Sequence, residues 1–357
     1  MKEKLIVVVG LVLVTLVFFG CTTSVPLVVQ KPAEVNMVGA RRIAIMDFGY
    51  PVQGTVYVSF ADLFKAALLR AYNLPRNAAR TVEQRIAQYT TDRLIITLLD
   101  TNYFEIISPR HLAAALPSEI DSRMSAVQVG NRVKAEAIIV GDITEMGARD
   151  ETVKETYTKK DEKTGKPITR IRRFLERTVT LALDYRVVNV KTGAIMATKY
   201  LSGTKKDRKP LGDDSIKPAV VLYQEIVDDL LPVISKQLAP YEVTEYRYLL
   251  NDETEDPRME MADEFVKAGA YDAALELFLE VWDDEENPAA GFNAAIMHEA
   301  VGEIERAIEQ MARTLKMIAG AQARVQRRVS NEHNRLLRTK EEMERVSEQL
   351  PSADGNP

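Results

Sequence analysis

The chain has 357 residues, 46% hydrophobic and 28% charged, with 17 Gly and 15 Pro. At about 150 residues per domain this predicts two folded units plus short appendages, and it excludes a disordered tail protein or a fibrous repeat. A formal charge of -5 with one Cys and three His excludes a surface built throughout for nucleic acid, an intramolecular disulfide and every multi-cysteine metal motif; no nucleic-acid partner, metal or cofactor is expected.

Met1-Lys2-Glu3-Lys4 leads into an apolar run from Leu5 to Gly20. This run is shorter than the roughly 20 residues that comfortably span a bilayer, so residues 1–20 are expected to be an export signal. Cys21 follows Gly20 directly. This junction resembles the lipobox of bacterial lipoproteins, with Phe18 and Phe19 in place of the usual Leu and small residue. The resemblance implies that Cys21 is acylated as the first residue of the mature chain, giving a membrane partner through lipid. An uncleaved N-terminal anchor is the alternative. Thr22 stands where inner-membrane retention would place Asp, which points to the outer membrane, facing the periplasm. Residues 21–40, with Pro26 and Pro32 and no sustained period, are expected to be a tether.

A first unit is expected over 41–249. Ile43 to Phe48 has the character of a buried strand. A glycine-punctuated loop follows it. Thr81 to Leu99 places Val82, Ile86, Tyr89, Leu94, Ile95 and Leu98 at helical spacing behind Thr81 as N-cap. Tyr103 to Ile107 predicts a strand, Arg110 to Ala115 a helical turn, Asp121 to Ala135 a helix, and Ala135 to Met146 another buried strand. Glu151 to Arg177 predicts a charged hairpin, and Arg177 to Val190 and Ala194 to Thr204 pair across the turn Lys191-Thr192-Gly193. Ser215 to Leu238 is a helix with Pro218 near its start and Pro232 inside; Tyr241 to Leu249 alternates as a last strand leaving the sheet. The whole is an α/β layout with a mixed sheet flanked by helices.

The segments RRIAIMDF, YFEIISP, KAEAIIVGDITEM and LDYRVVNVKTGAIMATKYLSGT resemble, over about half the chain, the periplasmic domain shared by the lipoproteins CsgG and LpoB. CsgG-like proteins form rings whose hairpins make a transmembrane barrel, and such hairpins alternate apolar and polar residues. Hairpin 151–177 carries charge on both faces, so no lipid-facing band exists. Within it Lys159, Lys160, Lys163, Lys166, Arg170, Arg172 and Arg173 form a basic cluster against Asp161 and Glu162. This is a candidate contact for an anionic partner, set against a merely solvated turn.

Residues 250–349 are expected to be a helical domain and 350–357 a disordered tail. Gly269, Tyr271, Ala274 and Phe278 are echoed 33 residues later by Gly302, Ile304, Ala307 and Met311, and Ala262 by Ala295. The stretch is similar to the tetratricopeptide family, which implies a protein-binding role. Trp282 is expected in the seam between repeat helices and His298 as a partly buried helix residue. The last helix, with Val325, Val329 and Leu336 as a thin apolar stripe, is expected to present a solvated charged face. The combination of signal, α/β domain and repeats also resembles a group of bacterial lipoproteins.

No nucleophile elbow, phosphate loop or metal motif occurs. Asp47 and Asp142 are the one carboxylate pair that strand ends would bring together, and capping of backbone amides is favoured over acid–base chemistry. The expectation is a non-enzymatic, lipid-anchored envelope scaffold or activator working through protein contacts, with a homo-oligomer open. A ring-forming component of a CsgG-like export apparatus is the alternative, and a hydrolase using Asp47 and Asp142 a third.

Overall fold

The computed structural model describes residues 23–50, 64, 67, 81–115, 125–320 and 323–350. The expected signal, Cys21, most of the loop after Tyr50 and the segment 351–357 lie outside these residues. The described chain divides into two compact units, one of residues 33–241 with 349 and 350, the other of residues 23–32 with 242–348.

Strand β1 (Ser24–Lys31) belongs to the second unit. In the first, a mixed sheet is built from β2 (Arg42–Ile45), β3 (Glu105–Ile107), β4 (Ala137–Lys160), β5 (Pro167–Asn189) and β6 (Ile195–Pro210), in the order β3-β2-β4-β5-β6. β2 runs parallel to β3 and β4, whereas β4, β5 and β6 are antiparallel. Helices α1 (Val82–Leu99), α2 (Pro109–Ala115), α3 (Ala126–Val133) and α4 (Ala219–Leu238) complete it among the described residues.

Local chemistry sets these boundaries. Thr81 and Gln84 form a reciprocal capping box at α1, and Ser125 and Gln128 form another at α3. α3 stops at Lys134 in the left-handed conformation. The Asn189 to Ala194 turn closes through Gly193 at φ +72, with the Asn189 side chain accepting from Thr192 N at 3.0 Å. α4 starts at Ala219, after Pro218, and continues through Pro232, which faces solvent.

Alternation along the strands divides the apolar side chains between two faces. On one, Ile43, Ile45, Ile139, Leu181, Leu183 and Tyr185 pack with Ile86, Leu94 and Leu98 of α1 and with Leu222 to Leu238 of α4. On the other, Ala44, Met46, Ile138, Val140 and Val188 pack with Phe64, Ala67, Leu112 of α2 and Val129 and Val133 of α3. Tyr185 is fully buried and donates to Gln237 Oε1 at 2.6 Å, so its hydroxyl is not orphaned in the core.

The second unit contains β1, β7 (Tyr241–Tyr248) and helices α5 (Pro257–Lys267), α6 (Tyr271–Glu285), α7 (Pro288–Ala300), α8 (Ile304–Met317) and α9 (Ala323–Gln349). β1 and β7 form a separate two-stranded sheet. Two expectations are thereby corrected: residues 24–31 are a strand rather than tether, and the strand after α4 does not join the larger sheet. Val25 and Leu27 are buried while Ser24, Pro26 and Val28 are exposed, a period of two that Pro26 obscures in sequence without breaking.

The 33-residue echo is structural. Asp256 and Asn287 cap α5 and α7, each followed by proline in the first turn. Gly269 and Gly302 turn the chain at φ +76 and +85, and Ala262/Ala295, Ala274/Ala307 and Phe278/Met311 are all fully buried. Trp282 is buried, and a Cβ on Gly291 of α7 would lie 2.3 Å from its ring and 2.5 Å from Thr314 Oγ1. The glycine is what lets α6, α7 and α8 close on one another.

An ion cluster ties β7, α7 and α9 together. Glu299, 5% exposed, accepts from Arg247 Nε at 3.1 Å and Nη2 at 3.0 Å and from Arg335 Nη1 at 2.7 Å. Glu245 and Glu332 hold the other sides of the two guanidinium groups, and Lys31 bridges Glu245 and Glu342 at 2.7 and 2.8 Å. The last helix is therefore not a simply solvated face: Val329 and Leu336 are fully buried, and Arg335 is consumed internally.

Gly291→Ala is expected to cost about 3 kcal/mol of stability, because two rigid neighbours occupy the added methyl's space; urea unfolding checks it. Glu299→Gln should cost about 3 kcal/mol by leaving two buried guanidinium groups without their shared carboxylate, visible as a lowered midpoint in the same assay.

Candidate functional site

The candidate basic cluster lies on the outer part of the β4–β5 pair. The ladder runs in continuous register from Ala137↔Asn189 to Lys160↔Pro167, apart from one bulge between Ile143 and Glu145. Before the bulge β4 is wholly buried; after it, no residue is.

Nearer the sheet this ribbon compensates its own charges. Arg177 grips Asp150 with two bonds of 2.7 and 2.6 Å, which holds the Asp150 carboxyl below its usual range. Lys206 meets Glu176 at 2.9 Å, Arg149 meets Glu151 at 3.1 Å and Arg208 meets Glu155 at 3.3 Å. Arg208 also stacks on Phe174 and Arg172 on Tyr157, each guanidinium 4.1 Å from the ring centre.

The turn beyond is fixed by Asp161. Its carboxylate accepts from Thr164 N at 2.9 Å, Thr164 Oγ1 at 3.0 Å and Lys163 N at 3.0 Å, and these bonds lower its pKa. Gly165 takes φ +65 to complete the reversal.

The seven predicted contact residues thus share one structural feature in different states. Lys159 is bonded to Glu162 at 2.7 Å and Arg172 is stacked. Lys160, Lys163, Lys166, Arg170 and Arg173 are exposed and form no ion pair among the described residues. Cys21 lies outside the described residues.

Asp142 is the sixth residue of β4 and not at a strand end, because the strand continues to Lys160. It is 4% exposed and lies directly across from Asp184 of β5. Asp47 is in the segment that runs alongside β4 between the bonds Met46 N to Ile139 O and Gly49 N to Gly141 O. Asp184 was not a sequence candidate; the signal for it was an acid interrupting the apolar run LALDYRVV. Burial raises its pKa, opposed by Arg186 and by the backbone of Asp142. No group of His, Cys, Asp and Glu suited to a metal ion occurs among the described residues, nor any helix long and apolar enough to cross a membrane.

The helical unit carries a groove of about 480 Å³ lined by Tyr246, Arg247, Tyr248, Phe292, Arg328, Glu332 and Arg335. Tyr246 and Tyr248 are 58% and 57% exposed on β7. Arg328 lies 5.4 Å from the centre of the Phe292 ring and donates to the carbonyls of Tyr248 and Leu249 at 3.0 and 2.9 Å. Its direct hydrogen bonds are to backbone carbonyls, while Glu332 on the same wall pairs with Arg335. Sequence alone did not assemble this site, whose members come from β7, α7 and α9. His298, as expected, is a largely buried helix residue, 2.8 Å from Glu303.

No family model matches the sequence, and no curated protein matches it. Among solved structures, the chain is similar to the hypothetical protein CT253 from Chlamydia trachomatis at 10% identity and a TM-score of 0.27, over 56% of this chain and 98% of that one. It is also similar to the PelC dodecamer from Paraburkholderia phytofirmans at 11% identity and a TM-score of 0.25, over 60% of this chain and 98% of that one. Similarity at this level assigns neither activity nor assembly.

Asp184→Asn is expected to stabilise the protein at neutral pH. The folded-state pKa of Asp184 lies above the unfolded value, so the parent gains stability as pH falls through the folded value and the advantage of the amide shrinks there. Thermal unfolding of both proteins across the acidic range checks the sign.

Proposed function

We propose that this chain is a lipid-anchored cell-envelope protein in which a CsgG/LpoB-like α/β unit and a tetratricopeptide-like helical unit act as a non-enzymatic periplasmic scaffold or activator. The observation that carries the reading is the groove of the helical unit. It joins exposed Tyr246 and Tyr248 to Arg328 over Phe292. Tyrosine and arginine around a concavity are the residue types that dominate protein–protein binding energy. The 33-residue helical echo supports the tetratricopeptide likeness, and the mixed sheet with helices on both faces supports the CsgG/LpoB likeness. The export signal and Cys21 supply the anchor. In this reading Asp47, Asp142 and Asp184 are structural carboxylates without a catalytic role.

Two measurements in cells test it. Cys21→Ala should move the protein from the membrane fraction to the soluble fraction. A photo-crosslinking residue at Tyr248 should give a discrete adduct with another envelope protein that Arg328→Ala reduces by at least about tenfold, the loss expected for an interface anchor. A Cys21→Ala protein that stays in the membrane would overturn the anchor. Adducts indifferent to Arg328 would overturn the groove as the partner site.

A further inference from the structure

We propose that the outer end of the β4–β5 ribbon is a docking tip for an anionic lipid membrane. The inference deepens the envelope reading and takes its biological setting from it.

Charge is divided along the ribbon by distance from the core. Of the cations nearer the sheet, Arg149, Arg177, Lys206 and Arg208 each have a carboxylate within 3.3 Å, and Lys154 and Lys209 form no ion pair among the described residues. Those further out, Lys160, Lys163, Lys166 and Arg170, have none among the described residues, and all are exposed. Beyond the Tyr157↔Arg170 pair only two acids occur: Glu162 is taken by Lys159, and Asp161 is turned inward onto the backbone of Lys163 and Thr164. An exposed ribbon that needed only solubility would be served by paired charges throughout, as most of its inner part is. The outer excess of one sign is complementary to a surface of the opposite sign.

Position and side-chain chemistry favour a membrane as that surface. β6 ends at Pro210 opposite Phe174, so from Lys154 to Lys160 the β4–β5 pair continues as a two-stranded ribbon of about 20 Å at 3.3 Å per residue, and the tip is the extremity of a ribbon rather than the wall of a pocket. The turn is held rigid by the Asp161 bonds. Cations occur on both faces of the ribbon because Arg172 and Arg173 are adjacent in an extended strand, so the end engages a surface end-on. Ile171, between Arg170 and Arg172, is 64% exposed. An apolar side chain amid unpaired lysines and arginines suits the boundary of anionic head groups and acyl chains, where both kinds of group are satisfied.

The test uses the full chain carrying Cys21→Ala, so that acylation does not contribute, and phosphatidylcholine vesicles with and without phosphatidylglycerol. Phosphatidylglycerol should strengthen vesicle binding by at least about tenfold, and added salt should abolish the gain. Lys160→Gln, Lys163→Gln and Lys166→Gln together should remove the gain. Arg149→Gln, Lys206→Gln and Arg208→Gln together, with the same change in net charge, should leave most of it. Circular dichroism melts confirm that both triple variants are folded. The proposal is overturned by binding indifferent to phosphatidylglycerol, by equal loss in the two triple variants, or by soluble polyglutamate competing with vesicles at equal charge concentration, which would mark the tip as a site for acidic chains. Failure here leaves the Cys21 fractionation and Tyr248 crosslinking results standing, so the two readings fail separately.

Discussion

The first unit depends on the antiparallel pairing of β4 with β5. In a ladder a one-residue slip exchanges the two faces of every residue beyond it. The register is held between the buried pairs Ile138↔Val188 and Ile139↔Val187 at one end and the Asp161 turn at the other. Because the inner residues supply both hydrophobic faces of the sheet, the outer residues are carried in register without a core of their own. Their cohesion is polar: Arg177 on Asp150, Lys206 on Glu176 and two stacked guanidinium groups. After the bulge at Ile143 the buried contribution of the pair comes from β5, through Leu181 and Val179, and beyond the end of β6 at Pro210 the pair projects as a two-stranded ribbon.

The helical unit is organised differently. Repeated small residues let neighbouring helices approach, and Gly291 lets Trp282 and Thr314 occupy the same seam. Glu299 then fastens the last helix and β7 to this stack through two arginines. A carboxylate shared by two guanidinium groups is a directional contact that hydrophobic burial alone would not specify. It also leaves Arg328 beside the exposed tyrosines, so the arrangement that closes the unit forms the groove on which the functional proposal rests.

Much of this architecture was legible in sequence because the relevant signals are local. The Thr81 cap, the Asn189 turn and the alternation of apolar residues around Ala137 to Ile143 depend on neighbours within a few positions. So does the echo from Gly269 to Gly302, since each repeat uses the same glycine turn and the same small residues. The strand at Ser24 was hidden by two prolines and by a partner more than 200 residues away. Asp184 facing Asp142, and Glu299 between Arg247 and Arg335, were equally hidden, because nothing local marks a charge that will be buried against a remote partner. The basic tip was visible as composition, but which of its cations are already paired is decided by cross-strand geometry.

The central claim is that the chain works as a tethered scaffold rather than as a channel. The molar mass of the mature protein extracted in mild detergent, measured by light scattering, addresses it most directly. The account predicts a monomer or dimer. A large closed ring of many copies would contradict it and would make export the leading explanation.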